Sequence, residues 1–286
     1  MIGALELGVL YGVMALGVYL TFRVLNFADL TVDGSFTAGG GTAAALIIAG
    51  ANPVTATAAG FAIGCLAGVI TGLLHTKGGI DSLLAGILTQ IGFWSINLRI
   101  MGGANLPLLR QDTVFTPLRE RGLLGNWAGV AVLAVSVLVL ALIVHWFLTT
   151  DLGLSIRATG DNGPMITSFG VSTDATKILT LALSNGLVGL AGALVAQYQG
   201  FADISMGIGL IVVGLASVIV GQAIFGQRRL LQAILAVVAG AVIYRLIIFA
   251  ALQLGLNPND MKLVSALLVI AALLIPRFTV KEKTRA

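Results

Sequence analysis

The chain has 286 residues, 58% hydrophobic and 10% charged, with net charge +4 and mean hydropathy +1.03. A soluble domain is about 25% charged, so these values exclude a soluble enzyme, a nucleic-acid binder and a disordered chain. They indicate an all-α polytopic membrane helical bundle. Its 37 glycines exceed ordinary usage and suit close helix contact and broken helices.

Apolar runs of about 20 residues predict nine spans, at 3–22, 34–50, 54–74, 80–100, 126–148, 177–199, 207–225, 230–254 and 261–276. Together they make one membrane domain over 1–286. The first run lacks a basic leader and a small-residue cleavage site, so it reads as a span and not a signal peptide. Glu6 falls in its outer half, near the headgroups. Residues 23–37 then interleave Asn26, Asp29, Asp33 and Ser35 with Leu25, Phe27, Leu30, Val32 and Phe36. Two readings stand for that segment. It is an ordinary connection, or a broken helix whose backbone and carboxylates line a solute path, the setting in which irregular backbone is tolerated at depth. The second span is short and glycine-rich, with a break expected near 34–41.

In the third span, Gly60, Gly64, Gly68 and Gly72 repeat every four residues and share one face. Such a row serves packing inside a subunit or between subunits. Cys65, the single cysteine, reads as a small buried hydrophobe. Gln90, Trp94 and Asn97 share a face of the fourth span, for interhelical hydrogen bonding or for the solute path. The outer loop, about 102–125, holds three arginines and predicts a structured loop or a short surface helix. The segment 149–176 is too long for a simple bundle connection. Gly160, Gly163 and Pro164 break it in two, with Asp161 or Asn162 capping the second piece. Its Leu154, Ile156, Met165, Ile166 and Phe169 make an apolar face for a partner or for the membrane surface. Asn185, Gln197 and Gln222 read as interhelical amides, and Arg245 requires a partner at depth.

Basic residues set the orientation. With Arg277, Lys281, Lys283 and Arg285 cytoplasmic, nine spans put the N-terminus outside. Arg23, Lys77, Arg157, Lys177, Arg228 and Arg229 then fall inside, and Arg110, Arg119, Arg121 and Lys262 outside. The sequence has no phosphate loop, no H-E-x-x-H pair and no G-x-S-x-G elbow, and His75 and His145 stand apart. The chain is therefore expected to be a conduit without catalytic residues, metal or cofactor of its own.

Several segments resemble the permease subunits of ABC importers for branched-chain amino acids and ribose-type sugars, the type II importers. They are residues 150–162 (TDLGLSIRATGDN), 169–171 (FGV), 189–193 (GLAGA), 25–30 (LNFADL) and 78–84 (GGIDSLL). Residues 214–222 (GLASVIVGQ) also match, although Gln222 stands where the family pattern has the second of two glycines. Residues 26–35 (NFADLTVDGS) most resemble a branch assigned to tryptophan or tyrosine uptake. The resemblance implies a type II importer fold with broken helices in the bacterial inner membrane. It implies a second permease subunit, with a homodimer expected, and an extracytoplasmic substrate-binding protein. It also implies two cytoplasmic ATPase subunits that hold ATP and magnesium.

In this reading Gly153, Arg157, Ala158, Gly160, Asn162, Phe169 and Gly170 belong to the ATPase-coupling element. Asn26, Asp29, Asp33, Ser35, Gln90, Trp94 and Asn97 belong to the translocation path. Gly189 and Gly192 join the glycine row in helix packing. The competing functions are an ion-coupled secondary transporter using Asp29 and Asp33, a sugar or nucleoside permease, and a membrane receptor or scaffold that moves no solute.

Overall fold

The computed structural model describes residues 1–255, Asp260 and 263–270. Helix α1 (Ile2–Tyr19) continues through one π-helical turn, Leu20–Val24, and is followed by α2 (Thr31–Ile48), α3 (Pro53–Thr76) and α4 (Ser82–Met101). Strand β1 (Asn105–Pro107) and the short α5 (Thr116–Glu120) precede α6 (Trp127–Thr149) and α7 (Asp151–Ser168). Then come α8 (Thr173–Gln199), β2 (Phe201–Asp203), α9 (Leu210–Phe225) and α10 (Leu230–Gln253). Local signals set the starts. Asn52 caps α3 ahead of Pro53, Asp81 caps α4, Thr150 caps α7 and Ser172 caps α8, each accepting from a first-turn N–H.

Among the described residues, six helices are long and apolar enough to cross a membrane: Ile2–Val24, α3, α4, α6, α8 and α10. Nine apolar runs therefore correspond to six such helices. α2 carries too many polar residues, and α9 rises about 24 Å, less than the ~30 Å of hydrocarbon. The ninth run reaches past the described residues, as do Lys262 and the basic tail. The fold also departs from all-α. β1 and β2 form a small antiparallel ribbon, Leu106 opposite Ala202, which ties the 102–125 loop to the end of α8.

α8 is the centre of the bundle, packed on α1, α2 and α3. The α3 glycine row lies against it within the same chain. A Cβ on Gly64 would overlap the Asn185 carbonyl, and one on Gly68 the Leu181 carbonyl. On Gly60 it would sit 2.8 Å from Ala193 Cβ, and on Gly72 2.9 Å from Ile178 Cα. From the other side Gly189 abuts the Gly60 carbonyl and Gly192 the Phe36 carbonyl of α2. Only side-chain-free positions let three backbones meet this closely. The α9–α10 pair repeats the device, Gly221 meeting Ala236 and Gly240 meeting Ser217. Gln222 does not disturb that contact.

The bundle has a ribbon end and an α7 end. At the ribbon end Glu6 is 1% exposed. It accepts from Gly125 N at 2.9 Å and from Tyr198 Oη at 2.6 Å, so it anchors the loop instead of lying among headgroups. Gln197 is equally buried. It donates to Thr57 Oγ1 at 2.7 Å and accepts from Val114 N at 3.0 Å. Arg245 stacks over the Tyr11 ring, 4.0 Å from its centroid, a cation–π pairing that accounts for an arginine inside a helix. Lys77 pairs with Asp174 at the α7 end at 3.3 Å.

Candidate functional site

Three arrangements converge on the segment between α1 and α2. The first is a buried polar network. Asn26 takes a left-handed φ of 56° and turns the chain after the π turn. Leu25 and Phe27 then bury, which carries Asp29 into the bundle at 2% exposure. Asp29 Oδ1 accepts from Thr31 N at 2.9 Å and so starts α2. Asp29 Oδ2 accepts from Asn185 Nδ2 at 2.6 Å, and Asn185 Oδ1 accepts from Ser35 Oγ at 2.6 Å. The Thr31 hydroxyl meets Thr71 Oγ1 at 2.7 Å, and Thr71 donates on to Thr89 at 2.9 Å. Loop, α2, α3, α4 and α8 are thus clamped by groups that satisfy one another, and a satisfied buried network rigidifies its surroundings.

The second arrangement is a half-helix. After β2 the chain turns back into the bundle. Met206 packs on Gly40, and Gly207 lies directly on the Asp33 carbonyl. α9 starts there, beside Asp33. Asp33 Oδ2 accepts from Gly209 N at 2.8 Å and Oδ1 from Ile211 N at 2.9 Å. A carboxylate at the positive end of a helix is favoured by the dipole and by free N–H groups. The broken backbone expected near 34–41 therefore lies at 204–209, and α2 is continuous. Both carboxylates that a secondary transporter would use for ions hold protein N–H donors instead.

The third arrangement is α7. A Cβ on Gly153 would overlap Phe147 O and one on Gly160 would overlap Val24 O, so α7 beds tightly on α6 and on the π turn. Ile156 is buried, and the Thr159 hydroxyl meets Thr176 Oγ1 at 3.1 Å. At Asn162 the backbone leaves the helix (φ −154°, ψ 89°). Its side chain accepts from Met165 N at 3.1 Å and starts a second short turn, which ends at Gly170 with φ 83°. Leu152, Leu154, Met165 and Phe169 stay exposed, Phe169 at 72%.

Residues 1–274 match the family model for the branched-chain amino acid transport system permease component. The chain belongs to this permease family. It is 38% identical to the tyrosine transport system permease protein of Clostridioides difficile (strain R20291), over 100% of this chain and 94% of that protein. The ribose import permease RbsC of Escherichia coli (strain K12) is 23% identical, over 92% of this chain and 81% of RbsC. The galactofuranose transporter permease YtfT of the same strain is 27% identical, over 86% and 71%. No solved structure matches.

In the permease, the residues expected along a path separate into groups. Asp33, Gln90, Trp94 and Asn97 line one cavity of ≈20 Å³ together with Ile204 and Ile208, room for about one water. Asn97 Nδ2 donates to Gly34 O at 3.2 Å. Its Oδ1 has no partner among the described residues. Trp94 is 42% exposed and marks the mouth on the outer face of α4. Asp29 and Ser35 sit in the network, away from that cavity. Asn26 lines a second cavity of ≈590 Å³ at the α7 end. Arg157 and Gly160 of the permease line that same cavity, and Ala158 is half-buried beside them. Sequence reasoning did not unite Arg157 with Arg23, Gln222, Gln227 and Arg228, because no spacing rule joins positions on three separate segments of the chain. It also missed the capping role of Asp33, whose partners are backbone N–H groups.

Proposed function

We propose that this permease is the translocation subunit of an ATP-driven importer for an aromatic or branched-chain amino acid, with residues 1–286 acting as one membrane domain. The observation that carries the coupling role is α7, a kinked helix fixed to the bundle by Gly153 and Gly160, with an apolar exposed face. In this reading a groove of each of two ATPase subunits takes that face, and ATP with magnesium is held and hydrolysed there, on chains other than this one. Asn162 sets the angle between the two pieces of α7, and Phe169 and Gly170 shape the tip. Gly160 transmits movement to the π turn through its contact with Val24. The basic bias of the α7 end supports a cytoplasmic location for it, with the N-terminus outside, the C-terminus inside and the protein in a bacterial inner membrane.

The exposed side of α4 at Trp94 faces a second copy of the permease. Solute released by an extracytoplasmic binding protein passes between the two copies. The 38% identity to a tyrosine permease over the whole chain supports aromatic amino acid uptake. The test is co-reconstitution of the permease with its ATPase and binding protein in vesicles. Tyrosine uptake is expected to require ATP and all three components, and to exceed ribose uptake. Gradient-driven uptake by the permease alone would overturn the reading.

A further inference from the structure

The cavity at the α7 end lies between the π turn, α7 and the connection from α9 to α10, and its volume is ≈590 Å³. Arg23, Arg157 and Arg228 line it, with Asp161 the single acidic residue on its wall among the described residues. Arg23 donates to Gln227 Oε1 at 2.5 Å. Among the described residues the side chains of Arg157 and Arg228 carry no hydrogen bond or ion pair. A further donor, Gln222 Nε2, is buried without a partner on the same wall. An unpartnered buried N–H group is costly, so the site is short of acceptors. Tyr19, Phe22 and Leu230 supply an apolar side, and Phe22 is 38% exposed where α1 leaves the bundle.

We propose that this cavity binds a phosphate-bearing anion, with the phosphodiester of an anionic lipid headgroup held by Arg157, Arg228 and Gln222 and its acyl chain running past Phe22. The donor set matches phosphate chemistry. Guanidinium groups pair bidentately with phosphate oxygens, and basic pockets between membrane helices suit anionic headgroups. An occupied site joins α7 to the α9–α10 connection through one ligand, so lipid composition would bear on how firmly α7 is seated. This goes beyond the importer reading and does not depend on the ATPase or on the transported solute.

The test uses the full-length permease in detergent, followed by native mass spectrometry. Phosphatidylglycerol, phosphatidylcholine and inorganic phosphate are the probes. One phosphatidylglycerol per chain is expected to be retained under activation that strips phosphatidylcholine. Each arginine near a headgroup contributes about fivefold in affinity, so the Arg157→Gln/Arg228→Gln variant is expected to lose roughly 30-fold. Gln222→Leu, which keeps every charge, is expected to lose about fivefold. Arg99→Gln, on an exposed position of α4, retains the adduct. Displacement of the lipid by low millimolar inorganic phosphate would support the phosphate site with a soluble source, and resistance to displacement would support the lipid. Equal retention of both lipids, or unchanged retention in both the double arginine variant and Gln222→Leu, overturns the proposal.

Discussion

Asp33→Ala tests the half-helix directly. The substitution removes both acceptors of the α9 N-terminus, now at 2.8 and 2.9 Å from Gly209 N and Ile211 N. Two N–H groups in a part-buried site lose their partners at about 1–3 kcal/mol each, and the helix dipole loses its anion at about 1 kcal/mol. A local cost of about 3–7 kcal/mol corresponds to roughly a hundred- to hundred-thousand-fold more frequent opening of 204–211. Hydrogen exchange by mass spectrometry on the purified permease reads this as faster exchange in peptides over 204–214, with peptides of α6 unchanged. Asp33→Asn, which keeps one acceptor, is expected to fall between. If the proposed import role holds, reconstituted uptake should drop in the same order, because Ile204 and Ile208 line the cavity beside Trp94. Wild-type exchange over 204–214 in Asp33→Ala would refute the capping argument, whatever happened to transport.

Four further outcomes follow from the geometry. Gly64→Ala places a methyl group on the Asn185 carbonyl and should cost about 1–3 kcal/mol by overpacking. Gly92→Ala, with open space at its Cβ, should not lower the melting temperature; equal effects would contradict the packing account. Asn185→Leu strips the bridge between Asp29 and Ser35 and should destabilise by about 2–5 kcal/mol. Combining it with Asp29→Leu should cost less than the sum of the two, and a double-mutant cycle checks this. Gly160→Leu drives a side chain into Val24 and is expected to leave membrane insertion intact while ATP hydrolysis no longer produces uptake. Coupled uptake at matched expression would count against the role given to α7. At the ribbon end, the Ser205 hydroxyl and N–H hold the Asp203 carboxyl below the ordinary aspartate range. A carboxylate with a lowered value stabilises above the ordinary value of about 4 and loses that contribution as pH falls through its own. The turn after β2 should thus stay closed from neutral pH to about pH 4 and open below it. Ser205→Ala should move that opening to higher pH, as read by exchange in peptides over 201–206.

Much of the site was legible residue by residue. The spacing of Gln90, Trp94 and Asn97 foretold a shared face, and Gly160, Gly163 and Pro164 foretold a broken α7, because helical periodicity and turn chemistry are local. The glycine row showed that something packs closely on α3, while its partner, α8, lay outside what a period of four specifies. Arg245 announced the need for a partner but not Tyr11, since cation–π pairing leaves no spacing signature. The break in the backbone was sought at 34–41, where glycine and polar residues gather. Those glycines instead admit Met206, Met101 and the carbonyl of Gly189, and α2 stays helical because its neighbours cover it.

Composition alone determined a membrane bundle, and a few motifs determined its permease family, since the cost of charge in hydrocarbon and the geometry of short turns are written in consecutive residues. The tertiary structure alone decided that nine apolar runs contain six crossing-length helices among the described residues. It also decided that Asp33 caps a half-helix and that three arginines share a cavity. These depend on which backbone N–H groups are left unpaired once helices pack, and on side chains brought together from distant parts of the chain. Pairing of that kind is a property of the packed bundle.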